Sequence, residues 1–554
     1  MDPDSGLFLR LCTRARSHWL KGSHAPRLAA SEWPGDWVDP RLRLRHQCEE
    51  DHGWGIVVAD GSESCIKRGE LLMSLRAVAA GISKQDLLRD LQFWEHDCAS
   101  EEVSASKLTN VEACQIHGLF DGRPRVPVTA LDEALYLGST SQSHELGLPK
   151  IDRFLRSRLL RIINFNVHSC PRPSFLVTGN KHLEEYQCMF PTLALINHSC
   201  RPNVTCVFIE DTVFVRAARD LSSGSELFTS YINVFGTVGE RTASLDRYQM
   251  VCRCSRCQFE EVAEADTRMQ DFRKETKLLR DAADSVHKLT MGCGMKEMMQ
   301  RMQDGAASAE LGACQVVAAM PGYASRDAEL WLLASEAHGA YWAIALLGQT
   351  ISPRKAALAF DRLCEMADQV SPSSVDHVKW AMSKLACLQD RPYDHAQCDE
   401  LDADIRAAHA SAQRVFRSTF GSSLELWKLM AESAGVKTRS LPREAPASDL
   451  YRAPPGQPQT ACEVLAGAVW SAPTFAVPSG GTFWLQEVRR LLAPRLESSD
   501  VSASISPSAI LVDVPSCPLE ASLRLELPVW QDPARTLASW SARRQRLLVW
   551  GECT

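Results

Sequence analysis

The chain is 554 residues long, with 45% hydrophobic and 23% charged residues. At roughly 150 residues per domain, this length allows about three to four folding units. Both fractions are close to the average of globular proteins, which excludes a wholly disordered chain and a coiled-coil rod. The 61 Lys and Arg against 68 Asp and Glu leave a net charge of −7, which is too small to indicate a protein that coats nucleic acid.

No segment has the roughly 18 uninterrupted apolar residues of a membrane helix. Residues 330–347 come nearest, and they contain Glu336 and His338. Arg10 cuts the N-terminal apolar patch, which therefore differs from a secretory signal. We expect the 20 cysteines to lie in a reducing compartment, the cytoplasm or nucleus. There, clustered cysteines more often bind metal or react, and scattered ones are small buried hydrophobes.

The first half of the chain alternates between strand and helix patterns. Residues 1–45 are expected to be an irregular lead-in whose pattern allows an amphipathic helix over 7–20. Two short strands follow, over 53–59 and 66–72, around a polar turn at 60–64. Apolar residues then recur at helical spacing in two places: Leu87, Leu88, Leu91 and Trp94, and later Ile151, Phe154, Leu155, Leu159 and Ile162.

Strand patterns return between residues 174 and 232. We predict strands over 174–178, 204–209, 213–217 and 226–232, with a tight hairpin connection at 210–212. Residues 261–441 have helical periodicity and predict stacked helical hairpins, a degenerate TPR-like array without a strict repeat of about 34 residues. A Pro-rich linker over 442–458 leads to a small β-rich module over 459–554. There we predict a helix over 483–492 and strands over 511–514, 521–527 and 547–550.

Three cysteines, Cys252, Cys254 and Cys257, lie within six residues. Tetrahedral zinc takes four ligands, so a fourth must come from elsewhere. The best candidate is Cys200, because the intervening strands can return its loop to the later segment. The alternatives are a redox pair of Cys254 and Cys257, or inert buried thiols; no flanking βαβ pattern favours the redox pair.

Several motifs together resemble the SET-domain lysine methyltransferases. They are Asn-His-Ser-Cys-Arg-Pro-Asn at 197–203, Glu-Leu-Phe-Thr-Ser-Tyr at 226–231, the cysteine triplet, Gly-Trp-Gly at 53–55, Lys-Arg-Gly-Glu at 67–70 and Asn-Phe-Asn at 164–166. The long helical tail makes the chain most similar to the SMYD subgroup. This resemblance implies an α+β fold, with a SET domain over 46–235 that contains a helical insert at about 73–165. A post-SET zinc segment would follow over 236–260.

The resemblance also implies a role for each matched residue. The cofactor would be S-adenosylmethionine, held by Gly53, Trp54, Gly55, Asn166, Asn197, His198 and Tyr248. Tyr231 would be the catalytic tyrosine, and the lysine channel would be lined by Tyr231, Tyr248 and Met250. A structural Zn²⁺ would bind Cys200, Cys252, Cys254 and Cys257. Taken singly, an Asn can be a turn former and His198 a core histidine. Val58 takes the place of the third glycine, so the segment is not a dinucleotide loop.

The chain departs from the SMYD pattern in three places. Met250 stands where the subgroup usually has an aromatic residue, and Ser225 replaces a common acidic residue. Residues 73–150 offer only Cys98 and Cys114, so the MYND zinc finger cannot be built there. The last 110 or so residues faintly resemble a CS-type β-sandwich at 523–528 and 541–550; an unrelated β module is the alternative.

These observations predict a protein-lysine N-methyltransferase that uses S-adenosylmethionine and acts on a histone or another protein. We expect a monomer with no membrane or nucleic-acid partner, and with protein-binding helical and C-terminal modules. The alternative is a scaffold whose SET fold has lost turnover. A thiol hydrolase that uses Cys200 and His198 is disfavoured, because side chains two residues apart need not meet. The substrate and the number of methyl groups are not encoded in these motifs.

Overall fold

The structure is a computed structural model in which the chain divides into two units, residues 1–440 and 441–554. It describes residues 4–19, 25, 33–47, 53–61, 65–91, 102–104, 108–122, 129–138, 148–151, 153–171, 185–286, 295–320, 322–323, 325–390 and 398–437, and eight strands between Val469 and Cys553. Strands dominate the first part and helices the second, so the predicted α+β class is confirmed. Every described helix is too short or too polar to cross a membrane.

The strands of the first unit are short. They are β1 (Trp37–Val38), β2 (Leu42–Gln47), β3 (Gly53–Val58), β4 (Leu71–Arg76), β5 (Ala79–Gly81), β6 (Glu102–Ser104), β7 (Arg153–Leu155), β8 (Val167–Cys170), β9 (Tyr186–Met189), β10 (Asn197–His198), β11 (Val204–Ile209), β12 (Thr212–Ala217) and β13 (Phe228–Thr229).

The largest sheet of this unit has the antiparallel order β1–β4–β12–β11. The predicted strands over 204–209 and 213–217 are confirmed as β11 and β12, joined by a two-residue turn in which Glu210 has a φ of 53°. The strand predicted over 53–59 is confirmed as β3, but of the strand predicted over 66–72 only Leu71 and Leu72 lie in a strand, β4. β3 pairs with β2, which begins within the predicted lead-in, and β4 pairs with β12. A turn alone does not fix the partner of a strand, because the buried face decides it.

The strand predicted over 226–232 is reduced to the two residues of β13, which run parallel to β10. The side chain of Asn203 explains the shortening. Its Nδ2 donates to the Glu226 carbonyl at 2.7 Å, and its Oδ1 accepts from the Phe228 amide at 2.7 Å. A side chain therefore satisfies backbone groups that a longer ladder would otherwise use. The predicted strand over 174–178 lies outside the described residues.

The helices in chain order are α1 (Asp4–Trp19), α2 (Lys84–Asp90), α3 (Asn110–His117), α4 (Ala130–Leu137), α5 (Arg156–Asn166), α6 (Val238–Leu245), α7 (Ser255–Ala263), α8 (Thr267–Val286), α9 (Met295–Ala318), α10 (Arg326–Glu336), α11 (His338–Ile351), α12 (Pro353–Val370), α13 (Val375–Gln389), α14 (Cys398–Phe420) and α15 (Leu424–Ser433). The amphipathic helix allowed over 7–20 is α1. The helix predicted from Ile151 begins only at Arg156, because residues 153–155 pair with β6. Helices α8 to α15 form the predicted helical part.

The second unit contains β14 (Val469–Ser471), β15 (Thr474–Ala476), β16 (Thr482–Arg489), β17 (Ser502–Ile505), β18 (Ala509–Asp513), β19 (Ser522–Glu526), β20 (Gln531–Ser541) and β21 (Arg546–Cys553). The helix predicted over 483–492 is wrong for residues 483–489, which lie in β16, and residues 490–492 lie outside the described residues. That strand pairs with β14, β15 and β21. Pairing with three neighbours overrides a helical spacing that the local sequence also permits.

His377 predicts a specific loss of stability in acid. Its side chain is 2% exposed at the start of α13, and burial lowers the pKa to about 4 although Asp368 opposes the shift. The unfolded chain binds this proton below about pH 6.5, so the contribution is complete above that pH and is lost as the pH falls towards about 4. Urea unfolding across this window should show His377→Gln losing up to about 1.4 kcal/mol less per pH unit than the wild type. Equal losses would contradict the assignment.

Candidate functional site

Four cysteines from two distant parts of the chain come together. Cys200 follows β10, Cys252 and Cys254 precede α7, and Cys257 lies in its first turn. All four Sγ atoms lie within 4.8 Å of one another. Thiolates around tetrahedral zinc at about 2.3 Å are roughly 3.8 Å apart, so this spacing fits the metal. The cluster could therefore hold a metal ion, and the fourth ligand is the cysteine that the sequence predicts.

The sulfurs of this cluster lie close enough to shift one another's pKa values. Hydrogen bonding with Cys200 lowers the pKa of Cys252 and Cys254, the latter to about 6. Hydrogen bonding with Cys200 also raises the pKa of Cys257. Thiols packed this closely must divide protons among themselves unless a cation replaces those protons. The chemistry of the four donors thus suits a soft divalent metal.

A buried ionic network supports the cluster from the helical side. Arg241, Arg256 and Glu260 are each no more than 2% exposed. Glu260 accepts from Arg241 at 2.8 Å and from Arg256 at 2.7 Å, and Arg256 also donates to Ser335 of α10 at 2.7 Å. Two guanidinium groups against one carboxylate leave one positive charge beside the sulfurs, and Arg241 Nη2 lies 3.6 Å from Cys257 Sγ. This excess charge offsets part of the negative charge of a metal–thiolate centre.

Tyr231 is joined to the cysteine cluster through His198. The Tyr231 amide donates to His198 Nδ1 at 3.1 Å, and His198 Nε2 lies 3.4 Å from Cys200 Sγ. Since Nδ1 accepts, the proton of the neutral ring lies on Nε2 and points to the sulfur. Both ring nitrogens are therefore engaged. The predicted cofactor contacts of His198 would therefore come from its backbone.

The Tyr231 hydroxyl donates to the Ile196 carbonyl at 2.7 Å. A phenol oxygen that donates its one proton can also accept through its lone pairs. The ring lies 5.2 Å from the ring of Tyr248 and 5.5 Å from that of His198, measured between centroids. The hydrogen bond to Ile196 thus orients the Tyr231 hydroxyl beside the rings of Tyr248 and His198.

Asn197 braces the strand that carries the predicted glycines. Its Nδ2 donates to the Trp54 carbonyl at 3.0 Å and to Glu226 Oε1 at 2.7 Å. Both amide protons are used, so only Oδ1 of this side chain is left to accept from a ligand. The indole of Trp54 is 5% exposed and packs edge-on against Tyr136 at 6.0 Å. A cofactor contact of Trp54, as predicted, would therefore come from its backbone.

Gly53 and Gly55 are needed for different reasons. Gly53 has a φ of 70°, a conformation that glycine adopts at little cost. A Cβ on Gly55 would lie 2.4 Å from Glu226 Oε1 and 3.1 Å from Asn197 Nδ2. Gly53 is therefore needed for its backbone conformation, and Gly55 for the close packing of Glu226 and Asn197 against the strand.

Gly55→Ala should break the contact between Asn197 and Glu226, because the new methyl group occupies the position of the carboxylate oxygen. We expect thermal unfolding at a temperature lower by several degrees, from a loss of about 1–3 kcal/mol. Gly239→Ala is the control. Like Gly55, Gly239 lies outside the left-handed region, and no described atom lies within 4 Å of its Cβ position. Its variant should be no less stable than the wild type, because alanine suits a helix. Equal destabilisation of the two variants would contradict the role of the Glu226 contact.

A cavity of about 780 Å³ opens beside Tyr231. Its described lining comprises Lys84, Arg161, Ile163, Asn164, Phe165, Asn166, Val167, His168, Ser169, Gln187, Leu193, Ala194, Pro202, Val204, Thr205, Cys206, Phe208, Thr229, Ser230, Tyr231, Arg247, Tyr248, Gln249, Ser371, Pro372 and Ser374. The volume is that of a small-molecule or peptide cleft. Of the predicted site residues, this lining brings together Asn166, Tyr231 and Tyr248. Gly53, Trp54, Gly55, Asn197 and His198 do not line it.

Met250 is also absent from the described lining, which contains its neighbour Gln249. Gln249 follows the turn Asp246–Tyr248 and has a φ of 55°. The assignment of Met250 to the lysine channel stays a prediction.

Asn166 lines the cavity with its amide group fixed. Its Nδ2 donates to the Phe120 and Ile162 carbonyls, each at 2.7 Å. Two carbonyl acceptors decide which end of the amide carries the protons. Only Oδ1 remains for a ligand, and it is an acceptor.

The far wall of the cavity comes from the helical part. Ser371, Pro372 and Ser374 lie between α12 and α13. Two arginines near β4 and β12 hold this turn. Arg68 donates to Ser373 Oγ at 3.1 Å and pairs with Asp368 at 2.9 Å, and Arg219 donates to the Asp368 and Gln369 carbonyls at 2.9 and 2.6 Å.

Sequence reasoning missed four contributors to this site. Glu226 is the first residue of the motif at 226–231. A carboxylate in a motif that recurs with a glycine-containing strand was the signal that could have identified it. Arg247 adjoins the predicted Tyr248 and lies over its ring, with Cζ 4.6 Å from the centroid. Arg68 belongs to a quoted motif whose purpose the sequence leaves open. The turn 371–374 had no signal, because only the packing of the helical part brings it here.

Comparisons with known proteins give a domain family and several similar proteins. Residues 53–232 match the SET domain family. The human Histone-lysine N-methyltransferase SMYD3 is 37% identical over 86 residues, 15% of this chain and 20% of that protein. The Arabidopsis thaliana Histone-lysine N-methyltransferase ASHR1 is 43% identical over 70 residues, 12% of this chain and 15% of that protein. The Xenopus laevis N-lysine methyltransferase SMYD2-B is 32% identical over 114 residues, 18% and 26% of the two lengths.

The chain thus carries a SET domain. That domain is similar to those of SMYD-type lysine methyltransferases, as the sequence motifs predict. The alignments span between 15% and 26% of the length of these three relatives.

Proposed function

We propose that the chain is an S-adenosylmethionine-dependent protein-lysine N-methyltransferase with a structural zinc ion. The observation that carries this proposal is the chain of contacts from the cysteine cluster through His198 to Tyr231, at the edge of a large cavity. A SET domain similar to those of named lysine methyltransferases supports it.

Two of the side chains that would hold the cofactor have only acceptor atoms left for hydrogen bonds. Asn166 and Asn197 can offer only amide oxygens, because their amide protons are engaged. An acceptor suits the ammonium group of the methionine part of the cofactor. His198, Trp54 and the two glycines would contribute backbone groups. When bound, the cofactor supplies an electrophilic methyl group on its sulfonium.

Tyr231 would position the reacting groups. Its hydroxyl proton is committed to the Ile196 carbonyl, so its oxygen lone pairs can accept weak C–H contacts from the methyl group. Tyr248 and Gln249 would line the path of the lysine. Lysine must lose its proton before it attacks, and an apolar or positively charged surrounding disfavours its charged form. The guanidinium of Arg247, 3.4 Å from the Tyr231 carbonyl, supplies such a charge.

The four cysteines would hold zinc in a closed site with no open position, which is the form of structural zinc. Its role would be to fix Cys200 against the segment before α7. That fixation in turn holds His198 and the Tyr231 backbone, as hydrogen-bonded outer partners of metal ligands commonly do.

The helical part would close the substrate cleft, and Arg68 tests this role. Arg68→Ala removes both contacts to the turn 371–374 and Asp368. Hydrogen bonds to charged groups contribute about 1.5–3 kcal/mol, so we expect KM for a protein substrate to rise roughly tenfold or more. The affinity for S-adenosylmethionine should stay within about threefold of wild type. Lys67→Ala is the matched control, because Lys67 pairs with Asp220 at 3.2 Å instead of the turn. An unchanged KM in Arg68→Ala would contradict the role.

The second candidate is a silent scaffold, which the extended helical and C-terminal parts would allow. Calorimetry of the purified chain with S-adenosylmethionine and S-adenosylhomocysteine tests the choice, together with transfer of a labelled methyl group to a protein mixture. The enzyme predicts both binding and transfer to lysine. Binding without transfer would favour the scaffold, and absence of binding would overturn the proposed function.

A further inference from the structure

The charged side chains in the described lining of the cavity are all cationic. Its described lining contains Lys84, Arg161 and Arg247, and none of these lining residues is Asp or Glu. The chain as a whole has a net charge of −7, so this local excess of cations differs from the average surface. A concave surface of one charge sign raises the local concentration of ligands of the opposite sign.

The three cations are only partly satisfied by neighbouring groups. Lys84 Nζ donates to the neutral Asn164 Oδ1 at 2.6 Å, and Arg247 Nη2 to the Tyr231 carbonyl at 3.4 Å. Arg161 Nη2 lies 3.8 Å from Asp121 Oδ2, but Arg158 approaches the same oxygen at 3.2 Å. Each cation therefore retains donors and charge for a ligand.

The proposed cofactor does not account for this charge. S-adenosylmethionine has one carboxylate, one ammonium group and one sulfonium, and no phosphate. Its single carboxylate can pair with one of the three cationic side chains. The target lysine brings a further amine. At least two cations in the cleft thus remain for other parts of the substrate.

The wall that comes from the helical part adds no acidic side chain to the described lining, since its lining residues are Ser371, Pro372 and Ser374. Behind this wall Arg68 pairs with Asp368, and Arg219 donates to the backbone carbonyls of Asp368 and Gln369. A basic peptide would meet like charges at the cleft lining, which costs affinity and discriminates between substrates.

We propose that the cleft selects target lysines that lie in acidic segments, with Arg247 facing carboxylates close to the lysine and Lys84 and Arg161 facing more distant ones. This inference rests on the proposed function and names its substrate class as acidic peptide segments. Lysine within an Arg- and Lys-rich segment is a poor substrate by the same reasoning.

A peptide series tests the selection on the full chain. Each peptide has one lysine in a Gly/Ser background, flanked on both sides by Glu, by the neutral isostere Gln, or by Arg. We expect kcat/KM to decrease in the order Glu, Gln, Arg, with Glu over Gln by roughly tenfold at low salt. The ratio should fall towards one at about 0.5 M salt, because screening weakens charge attraction. Equal values for the three peptides would overturn the inference.

Charge variants assign the effect to the cleft. Lys84→Glu and Arg247→Gln should each reduce the Glu-over-Gln ratio, by roughly fivefold for the reversal. Lys84 begins α2, where a carboxylate suits the helix, so this variant should fold. Lys428→Glu on the exposed side of α15 is the control, and its ratio should equal that of the wild type. A ratio unchanged by both cleft variants would overturn the inference.

The test remains decisive if turnover fails. Fluorescence anisotropy with the same peptides and S-adenosylhomocysteine measures their binding without methyl transfer. A preference for Glu peptides without any methylation would contradict the proposed function and support the acidic selection. Methylation with equal binding of all three peptides would do the reverse.

Discussion

Tyr231→Phe should reduce kcat for lysine methylation by about 100-fold or more, since loss of alignment at a reacting centre has effects of this size. The substitution removes the one hydroxyl that is directed by the Ile196 carbonyl at the edge of the cavity. It keeps the ring and its contacts with His198 and Tyr248. Cofactor affinity should remain within about threefold, because the one proposed cofactor contact that is lost, to the methyl group, is weak. Single-turnover transfer of labelled methyl measures the change.

Tyr341→Phe is the matched control for that loss. Its hydroxyl also makes a 2.7 Å hydrogen bond, to Glu310 in the helical part, and it does not line the cavity. We expect a small decrease in stability with kcat unchanged. If Tyr231→Phe keeps most of the wild-type rate, the hydroxyl does not position the reacting groups and the assignment of Tyr231 is wrong.

Cys254→Ser should abolish stoichiometric zinc and unfold the segment around α7. Zinc binding to structural sites contributes an apparent free energy of about 10–16 kcal/mol, as large as the whole stability of a typical domain. The exposed Cys314→Ser on α9 is the control and should retain one zinc per chain. Metal analysis and thermal unfolding measure both variants. Full zinc content in Cys254→Ser, or no zinc in the wild type, would contradict the proposed metal site.

The metal variant also tests how the cluster acts on Tyr231. Its effect on activity should pass through His198, since that ring contacts Cys200 on one side and the Tyr231 amide on the other. The histidine ring signals of the wild type, followed by NMR, should change on removal of the metal by a chelator. Unchanged signals after complete removal would show that the two sites are independent.

The sequence predicted the parts of the site that are written in local motifs. The cysteine triplet needs a fourth ligand to complete a tetrahedral zinc site, and the strands after Cys200 can return its loop to the triplet. The strands β11 and β12 follow from runs of β-branched and aromatic residues on both sides of a short turn. Such signals depend on residues close in sequence, where periodicity is reliable.

The rest required the tertiary structure. The wall at 371–374 reaches the cavity only because α12 and α13 pack beside the SET domain and Arg68 and Arg219 hold their turn. The limits on Asn166 and His198 come from hydrogen bonds to partners that the sequence does not name. Likewise, residues 483–489 have a spacing that suits a helix, but they lie in β16, which pairs with three strands. Long-range pairing decided these cases.

The most direct measurement is mass spectrometry of lysine ε-amino groups after incubation of a protein extract with the purified chain and S-adenosylmethionine carrying a deuterated methyl group. The account predicts labelled methyl-lysine that depends on the wild-type chain and is nearly absent with Tyr231→Phe. Label that is absent from lysine with a zinc-loaded, cofactor-binding wild-type chain would contradict it.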